Sequence, residues 1–113
     1  MHIINRTRGV ALAREGCLAG TWWARLKGLL GRSNLKPGEG LVLTPCNAIH
    51  TCFMRFSIDA VFINDHGRVL RIYDTMAPFR FSARVKEASR VVELPAGTLR
   101  MTGTQVGDVL EIE

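Results

Sequence analysis

Cys46, His50 and Cys52 are the residues of this chain whose types and spacing come nearest to a reactive site. The order Cys-x3-His-x-Cys offers two thiols and an imidazole, the ligands zinc prefers, and an imidazole beside a thiol can lower its pKa enough to make a nucleophile. Each chemistry lacks a component. A closed zinc site needs a fourth ligand, which would have to be His2, His66, Asp59 or water, and paired Cys-x-x-Cys knuckles are absent from the sequence. A thiol nucleophile needs a third group to orient its base, and none declares itself. Buried thiols beside a hydrogen-bonded histidine are the plainer reading of the trio. The chain also has no Gly-x-Ser-x-Gly elbow, no phosphate-binding glycine loop and no His-Glu-x-x-His, so no cofactor is expected.

Asp59 is the other residue that asks for an explanation. It falls in the run Ile58 to Ile63, IDAVFI, which is too apolar for a strand with one wet face, so its carboxylate is expected in the interior on the side of Val61 and Ile63. A buried acid needs a partner, either a cation, with Arg55, Arg25 and Arg32 available, or backbone N–H groups. The structural reading stops there. The functional reading places Asp59, Arg55 and Arg25 at a cleft, covered by Phe79 and Phe81, that orients a small polar ligand. Paired carboxylates for acid–base work are not evident, because Asp59, Asp65, Glu93 and Asp108 sit on different elements.

The elements that must hold these residues are mostly strands. IDAVFI, the turn residues Asn64-Asp65-His66-Gly67 and the run Val69 to Tyr73 predict a β-hairpin, with its first arm central in a sheet. Further strands are expected at His2 to Asn5, Val10 to Ala13, Leu41 to Leu43, Arg90 to Leu94 and Val109 to Ile112. Ala48 to Met54 is another apolar run. Thr21 can cap a helix whose apolar residues Trp22, Leu26, Leu29 and Leu30 share one face and which Gly31 would end. Asp74 to Arg84, with Pro78 and no regular period, reads as an irregular connection, and Thr98 to Thr102 as a single helical turn. About seven or eight short strands and one amphipathic helix predict a mainly β, sandwich or barrel-like domain with the helix packed across it.

Length and composition set the outer bounds. At 113 residues, with 47% apolar and 22% charged, the chain 1–113 is expected to form one ordinary globular domain. A net charge of +5 and a pI near 9.7 raise nucleic acid as a partner, but the cations are scattered along the sequence without a run, so nucleic acid is not expected. No stretch approaches the roughly 20 apolar residues of a membrane span, and the N-terminus lacks the pattern of a secretory signal. The cytoplasm is the expected compartment, where three cysteines would remain thiols.

Four ordered blocks carry a family likeness. Arg25-Leu26-Lys27-Gly28-Leu29-Leu30-Gly31-Arg32, Phe53 to Ile63, Glu93-Leu94-Pro95-Ala96-Gly97 and Val106-Gly107-Asp108 together resemble the family called domain of unknown function 192, from about Leu12 onward. The chain departs from its pattern at Leu30, where Met is usual, and at His50-Thr51-Cys52. The resemblance implies a compact β-rich fold with one helix and no particular activity, since the family is uncharacterised. The expectation from the sequence is therefore a non-catalytic binding or accessory module with a small polar ligand or a protein as partner. The alternative is a small metal-dependent or thiol enzyme using Cys46, His50 and Cys52.

Overall fold

The computed structural model describes residues 1–19, 34–52 and 54–113. The helix expected at Trp22 to Leu30 lies outside them, as do Arg25, Arg32 and Phe53. Among the described residues the strands run in the order β1 (Ile3–Asn5), β2 (Val10–Ala13), β3 (Glu15–Ala19), β4 (Glu39–Leu43), β5 (Ile58–Ile63), β6 (Val69–Met76) and β7 (Arg90–Pro95). A one-turn helix α1 (Thr98–Thr102) and β8 (Leu110–Ile112) follow. They build two open sheets, ordered β2-β1-β8 and β3-β4-β7-β5-β6, and neither closes into a barrel. All pairings are antiparallel except that of β3 with β4.

The apolar run of β5 has its reason in this arrangement. All six of its residues are buried because the larger sheet is covered on both faces. Ile58, Ala60 and Phe62 pack with Leu43, Ile49, Met54, Met76 and Ala88 on one side. Val61 and Ile63 pack on the other with Ile3, Leu12, Ala13, Leu99 and Leu110, which belong to the smaller sheet and α1. The alternation along one strand thus feeds two cores.

The hairpin β5–β6 forms as its turn residues dictate. Asn64 Oδ1 accepts the backbone N–H groups of His66 and Arg68 at 3.0 and 2.9 Å. Gly67 takes φ +80°, and a Cβ there would stand 2.2 Å from the Leu110 carbonyl oxygen, so only glycine lets the turn dock against β8.

Three features go beyond the sequence reading. Glu15-Gly16 opens a further strand, β3, where Gly16 passes so close to Met1 and Ile3 that a Cβ would meet them at 2.9 to 3.3 Å. The described residues of the apolar run Ala48 to Met54 form no named strand, and His50 makes an isolated bridge with Phe81. Two further acids join Asp59 in the interior, Glu93 and Asp108, which are 3% and 4% exposed.

Candidate binding site

Asp59 is fully buried, and its partners are backbone amides. Oδ1 accepts the Thr75 N–H at 2.8 Å, while Oδ2 accepts Gly97 N–H at 3.1 Å and Leu99 N–H at 2.9 Å. Gly97 precedes α1 in a left-handed conformation and has no side chain to cap it, so a carboxylate from β5 satisfies the orphan amide in its place. The same carboxylate fixes the backbone of Thr75, which sits at φ +57°. One side chain therefore fastens two things, the start of α1 and the point where β6 gives way to the irregular segment 77–89.

That segment is bound to the segment 47–54 by a second fully buried polar residue, Thr51. Its hydroxyl donates to the Ala77 carbonyl at 2.7 Å and accepts the Arg80 N–H at 2.9 Å. Its own N–H donates to the Arg80 carbonyl, and its carbonyl accepts the Phe79 N–H. Further pairs extend the contact, from Ser82 N–H to the Ile49 carbonyl and from Val85 N–H to the Asn47 carbonyl. Tyr73 of β6 adds its hydroxyl as acceptor for the Ala83 N–H at 2.8 Å. An irregular loop held by this many bonds has little freedom to fold its side chains inward.

The consequence is visible at the surface. Phe79 is 58% exposed with φ +61°, a conformation that is strained for a bulky residue, and Phe81 is 76% exposed, its ring 6.1 Å from that of His50. Arg80, Arg84 and Lys86 on the same segment are exposed, as are His50 and Arg55 on the facing one. Stretch 40–58 contains no aspartate or glutamate, and the segment 77–89 contains one, the exposed Glu87 beside Lys86. The two loops together form an aromatic and cationic platform.

Of the residues marked in the sequence, Phe79 lies on this segment, Arg55 is exposed four residues after Thr51, and Arg25 lies outside the described residues. Asp59 points to the other face of the five-stranded sheet, where its buried carboxylate accepts three backbone N–H groups, and Arg55 is exposed. Cys46, His50 and Cys52 do not assemble a centre. Cys46 Sγ donates to the Ala48 carbonyl at 3.2 Å, and His50 Nδ1 accepts the Cys52 backbone N–H at 3.2 Å. Among the described residues no three His, Cys, Asp or Glu side chains come together as a metal site requires.

Two concavities are lined by described residues. A groove of about 310 Å³ runs between β2 and α1, lined chiefly by Val10 to Arg14, Pro37, Pro95, Ala96 and Met101. A second of about 280 Å³ lies among Pro45 to Ala48, Ala88 and Ser89. Asp59 lines neither.

Sequence reasoning passed over Thr51 and Glu93. Thr51 stands in an irregular loop, and only the contact across to residues 77–80 gives it a role. Glu93 did carry a signal, because the run Val91-Val92-Glu93-Leu94 reads as a strand with both faces covered as clearly as IDAVFI does. It lies between Leu41 of β4 and Ala60 of β5, and burial pushes its carboxyl up to about 7.

Comparison with known proteins places this arrangement among relatives. The family model DUF192, described as an uncharacterized ACR, matches residues 3–112. A UPF0127 protein of Pyrococcus furiosus is 32% identical over 96% of this chain and 96% of its own length, and one from Thermococcus kodakarensis is 32% identical over 96% and 71%. Among solved structures, a Novosphingobium aromaticivorans protein of unknown function superposes with a TM-score of 0.84 at 22% identity, covering 99% of this chain and 84% of that one. A Sinorhizobium meliloti protein described as a putative transcription regulator gives 0.80 at 25% identity, over 97% and 89%. No helix among the described residues is long and apolar enough to cross a membrane. With a family model spanning nearly its whole length, the chain belongs to the uncharacterised DUF192 family.

Proposed function

We propose that the protein is a non-catalytic binding module that takes an anionic partner on the platform of loops 47–57 and 77–86. The observation that carries this reading is the pair of exposed rings, Phe79 and Phe81, held outward by the buried Thr51 clamp on a segment with three exposed cations, Arg80, Arg84 and Lys86, and one exposed acid, Glu87. Soluble proteins place large apolar side chains inside, and a rigid loop that presents two of them beside several cations carries the composition of a contact surface. Arg55 and Phe79 are contact residues in this reading. Asp59 is a positioning residue that holds Thr75 at the root of the loop.

A polyanion of defined length, such as polyphosphate, tests the idea. Charge reversal at both Arg80 and Arg84 is expected to weaken binding at least tenfold at low salt with no change in thermal midpoint, because both side chains are exposed. Reversal at both Arg14 and Lys36, exposed residues away from these loops, changes the net charge equally, is the control and is expected to leave most of the affinity. Equal losses from the two changes would mean only diffuse attraction to a basic protein, and the platform would not be the site.

A further inference from the structure

We infer that the anionic partner is a single-stranded nucleic acid, an inference that rests on the platform being the binding surface. Three exposed cations, Arg80, Arg84 and Lys86, lie within seven residues on a segment that backbone hydrogen bonds tie to residues 47–51, a local concentration that reopens nucleic acid as a partner. The order Phe79-Arg80-Phe81 then alternates ring, guanidinium and ring, and Arg84 and Lys86 continue the cationic track along the same segment. An unpaired strand has the matching alternation, with a flat π face on every base and a negative charge at every phosphate. An acidic peptide would satisfy the cations and leave the phenyl rings in water. A membrane surface would accept the rings only by drawing Arg80, which lies between them, toward the apolar layer. A duplex hides its base faces in the stack, and the described residues of the platform offer neither a helix nor a β-ribbon for the major groove.

Phe81, the more exposed ring, separates these partners. The experiment measures binding of a labelled 12-nucleotide oligouridylate by fluorescence anisotropy, beside polyphosphate, a 12-base-pair duplex, anionic phospholipid vesicles and a polyglutamate peptide. Wild type, Phe81→Ala and the Arg80→Glu/Arg84→Glu double variant are compared, all checked for unchanged thermal midpoint. The expected result is preference for the single strand over the duplex, a loss of about tenfold for the single strand in Phe81→Ala, and no loss for polyphosphate in that variant. Affinity should also fall steeply with salt. Single-strand binding indifferent to Phe81→Ala, or weaker than binding to duplex, vesicles or peptide, overturns this inference. The broader reading still stands if polyphosphate binding is lost in the double variant. Indifference of every probe to the double variant overturns both.

Discussion

The two faces of the five-stranded sheet bury their carboxylates on different terms. On the face closed by β2-β1-β8 and α1, Asp59 accepts three backbone N–H groups. On the same side of the molecule Asp108 accepts hydrogen bonds from Asn5, Arg8 and Gln105. Burial raises the Asp108 carboxyl, and those bonds outweigh it and hold the group below the usual carboxylate range. On the opposite face, where loops supply Ile49, Met54, Ala88 and the partly buried Cys46, Phe56 and Val85, Glu93 is raised to about 7 by burial. Strand ends and helix starts hold amide donors at fixed positions, so a face built from them can receive a charge. The loop side supplies apolar cover to the sheet and turns its cations outward to the platform.

Removing Asp59 should have the largest effect. Asp59→Ala leaves three amides without their acceptor, and at about 1–3 kcal/mol for each buried unsatisfied group the expected loss is about 4 kcal/mol. Urea unfolding reads it, and a loss below about 1 kcal/mol would show that the amides find other acceptors. Glu93 should behave in the opposite sense. Its folded pKa of about 7 lies above its ordinary value of 4.5, so between these two values the native state binds more protons than the unfolded state. Stability therefore falls as pH rises through this window and is flat above it, a total of about 3 kcal/mol. Glu93→Gln is expected to flatten the profile and to be the more stable protein at pH 8. Urea midpoints at pH 5 and pH 8 for both proteins decide the matter, and an equally steep profile in the variant would assign it to another group.

The smallest of the three effects concerns the clamp. Thr51→Val keeps the shape and deletes the hydroxyl that serves Ala77 and Arg80, at a cost of about 1–2 kcal/mol. The local readout is sharper than the global one. Amide exchange at Arg80 should accelerate well beyond that at Val61 in β5, whereas equal acceleration at both would mean that the loop has no independent stability.

How much of this was legible follows from where each signal resides. The hairpin could be read because β-branched density and the Asn64 to Gly67 turn are local, and so could the burial of Asp59, which follows from its apolar neighbours. Its partners could not, since Gly97 and Leu99 are 38 and 40 residues away and are backbone groups that every residue type shares. The choice among Arg55, Arg25 and the backbone therefore needed the fold. β3 escaped because Gly16 looks like punctuation until its close approach to Met1 and Ile3 is seen. Phe79 and Arg55 were marked for a cleft, and the sequence does hint at exposure in that it offers no strand or helix to bury the segment around Pro78. The docking of the cationic segment against residues 47–51 could not be read, because it rests on backbone hydrogen bonds across about 30 residues of chain.

The pairing of β1 with β8 has a consequence for the order in which the molecule assembles. Val109 donates its N–H to Thr7 Oγ1 across 102 residues of chain, and His2 and Glu113 exchange backbone hydrogen bonds. β5 and β6 need only close a short turn, whereas the three-stranded sheet cannot form until the two ends of the described chain have met, at the greatest loop-closure entropy the sequence contains. The sheet that covers one core is thus the last to arrive and the first to leave. Weakening β8 should hasten unfolding with little change in folding rate, and weakening β5 should slow folding itself.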